Sequence, residues 1–70
     1  MNSKEIFTAL RNGAKMICEN GTYTVNGSKV SERSALAATD MMDNHCKIEV
    51  VEGKAVYSYG RWIGGSQGAQ

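Results

Sequence analysis

Apolar positions in this chain change period from one segment to the next, and each change marks an element. Ile6 and Leu10 stand four residues apart with Phe7 beside them, which makes one helical stripe. Asn2 and Ser3 are both good N-cap residues, and Glu5 lies where a capping box needs a carboxylate. Asn12-Gly13 supplies the left-handed residue that closes this short helix.

From Lys15 to Val30 the period becomes alternating. Two Asn-Gly pairs, Asn20-Gly21 and Asn26-Gly27, bracket Thr22-Tyr23-Thr24-Val25, and Asn-Gly tolerates the two positive φ angles of a type I′ turn. A turn at Asn20-Gly21 predicts Cys18 opposite Tyr23 and Met16 opposite Val25 on one face, with Ile17 and Thr24 on the other. A turn at Asn26-Gly27 sets Tyr23 opposite Val30 and adds a third strand to a small meander.

Ser31 reads as the N-cap of a second helix, with Val30 as a hydrophobic staple and Glu32 placed to complement the helix dipole. Ala35, Leu36, Ala37, Ala38, Met41 and Met42 carry it to Asp43-Asn44. Leu36 with Met42, or Thr39 with Met42, is expected to mark its buried side. Cys46 to Glu52 and Ala55 to Gly60 then alternate about Glu52-Gly53 as a second hairpin. Its register faces Val50 with Ala55, Ile48 with Tyr57 and Cys46 with Tyr59 on a dry face, and leaves Lys47, Glu49, Val56 and Ser58 on a wet one.

The predicted fold class is therefore α+β: an antiparallel sheet of four to five strands built from two hairpins, with two helices on one face, in the order α-β-β-(β)-α-β-β. At 70 residues there is room for one core, so residues 1–63 are read as a single domain and 64–70 as a flexible glycine-rich tail. A core this small makes marginal stability or oligomerisation, such as a homodimer, an expectation.

Charge and targeting narrow the function classes. Eight basic residues against seven acidic ones leave a formal charge of +1, and the basic ones are scattered, so neither a strong polyanion-binding field nor a nucleic-acid mimic follows. No signal-peptide core and no membrane-length apolar run occurs, which points to a soluble, cytoplasmic protein. In that compartment Cys18 and Cys46 read as buried thiols rather than a disulfide.

Chemistry-bearing residue types cluster only around Asp40, Asp43, His45 and Cys46. Structural zinc needs four ligands in paired spacings, and adjacent Cys and His on a strand point to opposite faces, so His45 is expected at the helix-to-strand joint and Cys46 in the core. No phosphate-loop, dinucleotide or nucleophile-elbow pattern is present, so the expectation is no metal, no cofactor and no enzymatic activity.

Recognition is the remaining option. Tyr57, Tyr59, Arg61 and Trp62 are the residue types that dominate protein interfaces and also stack on single-stranded bases, although Tyr57 and Tyr59 fall on the predicted core face. Arg61-Trp62-Ile63 lies past the hairpin. On the wet face Ile17 and Val56 can seed a partner surface, and open strand edges can pair with another chain. The candidate partner-binding residues are Arg61, Trp62, Tyr59, Ile17 and Val56.

In length, α+β pattern, near-neutral charge and want of a cofactor motif, the chain resembles the small orphan proteins of phages and other mobile elements, anti-CRISPR proteins and other inhibitors of host defence among them. That resemblance implies a phage or mobile-element accessory protein that binds and inhibits or regulates a host protein complex, and it assigns no residues. The alternative is a small nucleic-acid-binding protein using aromatic and Arg side chains.

Overall fold

A computed structural model describes residues 1–60; Arg61, Trp62, Ile63 and the expected 64–70 tail lie outside the described residues. The elements run α1 (Ser3–Arg11), β1 (Met16–Glu19), β2 (Thr22–Val25), β3 (Ser28–Val30), α2 (Glu32–Met42), a short 3-10 turn (Asp43–His45), β4 (Cys46–Val51) and β5 (Lys54–Tyr59). The expected α+β order holds, with β3 present as a third strand of the meander.

Local chemistry sets the helix ends. The Glu5 amide donates to Asn2 Oδ1 and the Asn2 amide donates to Glu5 Oε1, both at 2.8 Å, completing the capping box. At the other end Gly13, at φ +109°, lets its N–H reach the Leu10 carbonyl while the Ala14 N–H reaches Ala9, the pair of bonds of a Schellman cap. Ser31 caps α2 by accepting from the Ser34 amide at 3.2 Å.

Three tight turns join the antiparallel strands. Asn20-Gly21, Asn26-Gly27 and Glu52-Gly53 each place two successive residues at positive φ, from 53° to 82°, as type I′ hairpins require. Every expected pairing is found: Met16 with Val25, Cys18 with Tyr23, Tyr23 with Val30, Val50 with Ala55, Ile48 with Tyr57 and Cys46 with Tyr59. The sheet order is β3-β2-β1-β5-β4, so β1 sits at the centre and joins the two hairpins through Met16 opposite Tyr57 and Ile17 opposite Val56.

Both helices cover the same face. α1 packs on α2 and on β5, and α2 packs on β2. Between helices and sheet lie Ile6, Leu10, Met16, Tyr23, Val25, Val30, Ala35, Ala38 and Met42. Tyr23 and Tyr57 meet at 6.2 Å between ring centroids, and Tyr59 meets Phe7 edge-on at 6.0 Å.

The structure corrects three expectations. Leu36 is 48% exposed and does not mark the buried side of α2; that stripe is Ala35, Ala38 and Met42, with Thr39 half-buried and its hydroxyl bonded to the Leu36 carbonyl. Alanines let the helix axis approach the sheet, where a leucine would hold it off. The thiols of Cys18 and Cys46 are free as expected but only half-buried.

The largest correction concerns β4, whose helix-side residues Ile48 and Val50 are 59% and 80% exposed instead of dry. Two helices side by side, each about 10 Å across, span roughly 20 Å, whereas five strands at about 4.8 Å span roughly 24 Å. One edge strand is left uncovered. With α2 over β2 and α1 over β5, that strand is β4.

Candidate functional site

The face of the sheet turned away from the helices carries no covering element among the described residues. Cross-strand pairing lines up one row of side chains over all five strands: Lys29, Thr24, Ile17, Val56 and Glu49. Ile17 and Val56 are direct partners, Ile17 on the central strand β1 and Val56 on its neighbour β5.

Their spacing follows from the ladder. The Gly60 amide donates to the His45 carbonyl, which makes that pair a hydrogen-bonded one; alternation then makes the Val56 and Glu49 pair hydrogen-bonded as well. Val56 therefore turns its backbone groups toward β4 and meets Ile17 as a non-bonded pair, the type with the closer Cα separation of about 4.5 Å. Ile17 is 36% exposed and Val56 half-buried, so the two make one continuous apolar spot open to solvent.

Charge surrounds this spot without dominating it. Within the strands the open face carries Lys29, Lys47 and Lys54 against Glu19 and Glu49. Lys54 Nζ stands 3.9 Å from Glu19 Oε1, with both side chains well exposed, so solvent screens the pair. A face of roughly 24 Å by 13–20 Å projects about 400 Å², half of the about 800 Å² that each partner gives to a standard interface.

Of the other sequence-predicted residues, Tyr59 lies on the opposite face from Ile17 and Val56. It is half-buried between Phe7 and His45, and the imidazole stacks on its ring at 4.9 Å with 16° between planes. Arg61 and Trp62 fall outside the described residues. The structure thus brings together two of the five candidates, Ile17 and Val56.

The cluster around His45 has structural tasks. His45 Nδ1–H donates to the Gly60 carbonyl at 3.0 Å, and its own carbonyl accepts from the Gly60 amide, so the residue ties the end of β5 to the start of β4. Cys46 packs against the core, and burial pushes its thiol pKa up, which lowers the thiolate fraction a nucleophile needs. Among the described residues no group of three or more His, Cys, Asp or Glu side chains is arranged to hold a metal ion, and no helix is long and apolar enough to cross a membrane.

Sequence reasoning missed the strip formed by Ile48 and Val50 beside a six-residue edge strand. Alternation assigned both to the helix side correctly. The signal that finds them is the count of two helices against five strands. A shallow depression lined by Asp43, Asn44, Cys46, Lys47, Ile48 and Glu49 runs along the same strand.

No protein-family model matches the chain, and comparison with curated proteins and with solved structures gave no match.

Proposed function

We propose that this protein is a non-enzymatic protein-binding module that docks through the open face of its sheet, as an accessory protein of phage or mobile-element type that inhibits or regulates a host protein complex. The observation that supports this reading is the apolar pair Ile17 and Val56 at the centre of a sheet face that no element among the described residues covers, within a rim of mixed charge. An apolar centre inside a polar rim is the anatomy of a protein interface. Lysines and glutamates nearly balance on that face, whereas nucleic-acid docking draws on an excess of positive charge. Such a module acts stoichiometrically, by occupying a surface its target needs.

The test is affinity capture from a bacterial lysate by tagged wild-type protein, by the Ile17→Glu/Val56→Lys variant and by Leu36→Lys as a surface control. Wild type and control retain the same protein at low and high salt, and the sheet variant loses it. Retention of nucleic acid that fades steeply with salt, or a sheet variant that binds as well as wild type, refutes the reading.

A further inference from the structure

The two edges of the sheet differ. β3 is three residues long and presents Lys29, the kind of short, charged edge that resists pairing with another chain. β4 is six residues long, and its helix-side residues Ile48 and Val50 stand exposed beyond the helices. Because the His45 and Gly60 pair is hydrogen-bonded, alternation directs the N–H and C=O groups of Cys46, Ile48 and Val50 away from β5, toward the open edge.

We propose that β4 is a self-association edge, along which two copies of this chain pair antiparallel from Cys46 to Val50 about a two-fold axis at Ile48. The sequence of the strand, Cys-Lys-Ile-Glu-Val, selects this register by charge. A two-fold axis normal to the sheet keeps each face on its own side, so a residue meets only partners of its own face. Centring on Ile48 puts Ile48 opposite Ile48, Lys47 opposite Glu49 on both sides of the axis, and Cys46 opposite Val50. Centring one residue earlier puts Lys47 opposite Lys47; one residue later puts Glu49 opposite Glu49. Opposite charges across a strand pair stabilise it and like charges destabilise it, so only the Ile48-centred register is self-complementary. Lys47 and Glu49 are both exposed, and among the described residues neither takes part in an ion pair.

This register also gives the outward backbone groups partners. The Ile48 pair exchanges two hydrogen bonds, and each Cys46 and Val50 pair exchanges two more. On the helix side the Ile48 and Val50 side chains of both copies come together in the space between the two α1 helices. On the other side the open faces join, and two faces of about 400 Å² reach the roughly 800 Å² of a standard interface patch. The self-association stands on the edge strand alone and does not depend on the docking reading.

Sedimentation velocity on the full chain over a concentration series tests it with charge reversals. Wild type forms a dimer. Lys47→Glu and Glu49→Lys each weaken it roughly tenfold or more, since two symmetry-related pairs turn from attractive to repulsive. The double variant Lys47→Glu/Glu49→Lys restores dimerisation to near the wild-type level. Ile48→Glu, which sets two carboxylates at the axis while altering a side chain exposed in the monomer, abolishes it; circular dichroism reports that each variant is folded. A chain that stays monomeric at every concentration overturns the proposal. So does a dimer indifferent to both single reversals, or a double variant no tighter than either single one. The Ile17→Glu/Val56→Lys variant remains dimeric, so loss of dimerisation and loss of docking are separable outcomes.

Discussion

Replacing Asp43 by glycine is expected to stabilise this protein, although most substitutions destabilise a folded domain. Asp43 closes α2 at φ 53° and ψ −120°, the conformation of the first central residue of a type II′ turn, where glycine is favoured. Among the described residues the Asp43 side chain accepts no hydrogen bond that would offset the strain. A side-chain-bearing residue held in so sparsely populated a region costs on the order of 1–3 kcal/mol. Glycine removes that cost but loses about 0.5–1 kcal/mol more backbone freedom on folding. The net expectation is a gain of about 1 kcal/mol, which in a domain of this size raises Tm by roughly 4–8 °C. Thermal and urea denaturation followed by circular dichroism measure it, with Asp43→Ala as the comparison that keeps the strain. If Asp43→Gly is neutral or destabilising while Asp43→Ala matches wild type, the joint between α2 and β4 is not strained as described.

Other outcomes follow from the same geometry. Glu52 sits at φ 53° in the first position of its hairpin turn, so Glu52→Asn should stabilise by a few tenths to about 1 kcal/mol in the same melts. Ile6→Ala empties a fully buried site and should cost about 2–5 kcal/mol, enough to unfold much of a small domain, whereas Val50→Ala on the exposed strip should change monomer stability little. His45→Ala removes a hydrogen bond to the Gly60 carbonyl and a ring stack on Tyr59, for a loss of about 1–2 kcal/mol. Tyr23 should ionise well above the ordinary tyrosine value in an ultraviolet titration. Its burial, with the Cys18 thiol beside it, pushes its pKa from 10.0 up to about 12. The folded state then holds a proton that the unfolded state releases, so this contribution to stability is complete below pH 10 and is lost as pH rises through about 12.

Much of this fold was legible in the sequence because its turns are explicit. Asn20-Gly21 and Asn26-Gly27 fix hairpin registers to the residue, and the Asn2 and Glu5 pair fixes where α1 begins. The pairing of β1 with β5 was not legible, since it joins segments far apart in the chain and no turn records it. Ile17 and Val56 were assigned to the wet face from alternation, but only that long-range pairing makes them neighbours. Leu36 misled because a large apolar residue on a helix suggests a buried side, while close packing on the sheet selects Ala35 and Ala38 instead. Ile48 and Val50 misled because alternation gives the side of the sheet on which a residue lies and not whether a helix reaches over it.

Docking of the target on the open face around Ile17 and Val56 is the proposal on which the function rests. A methyl NMR spectrum of the labelled full chain, recorded with increasing amounts of the protein retained in the capture experiment, tests it most directly. The Ile17 and Val56 methyl signals are expected to shift or broaden first, while those of Leu36 and Met41 on the helix side stay in place. Changes confined to the helix side, with Ile17 and Val56 unmoved at saturation, would contradict it.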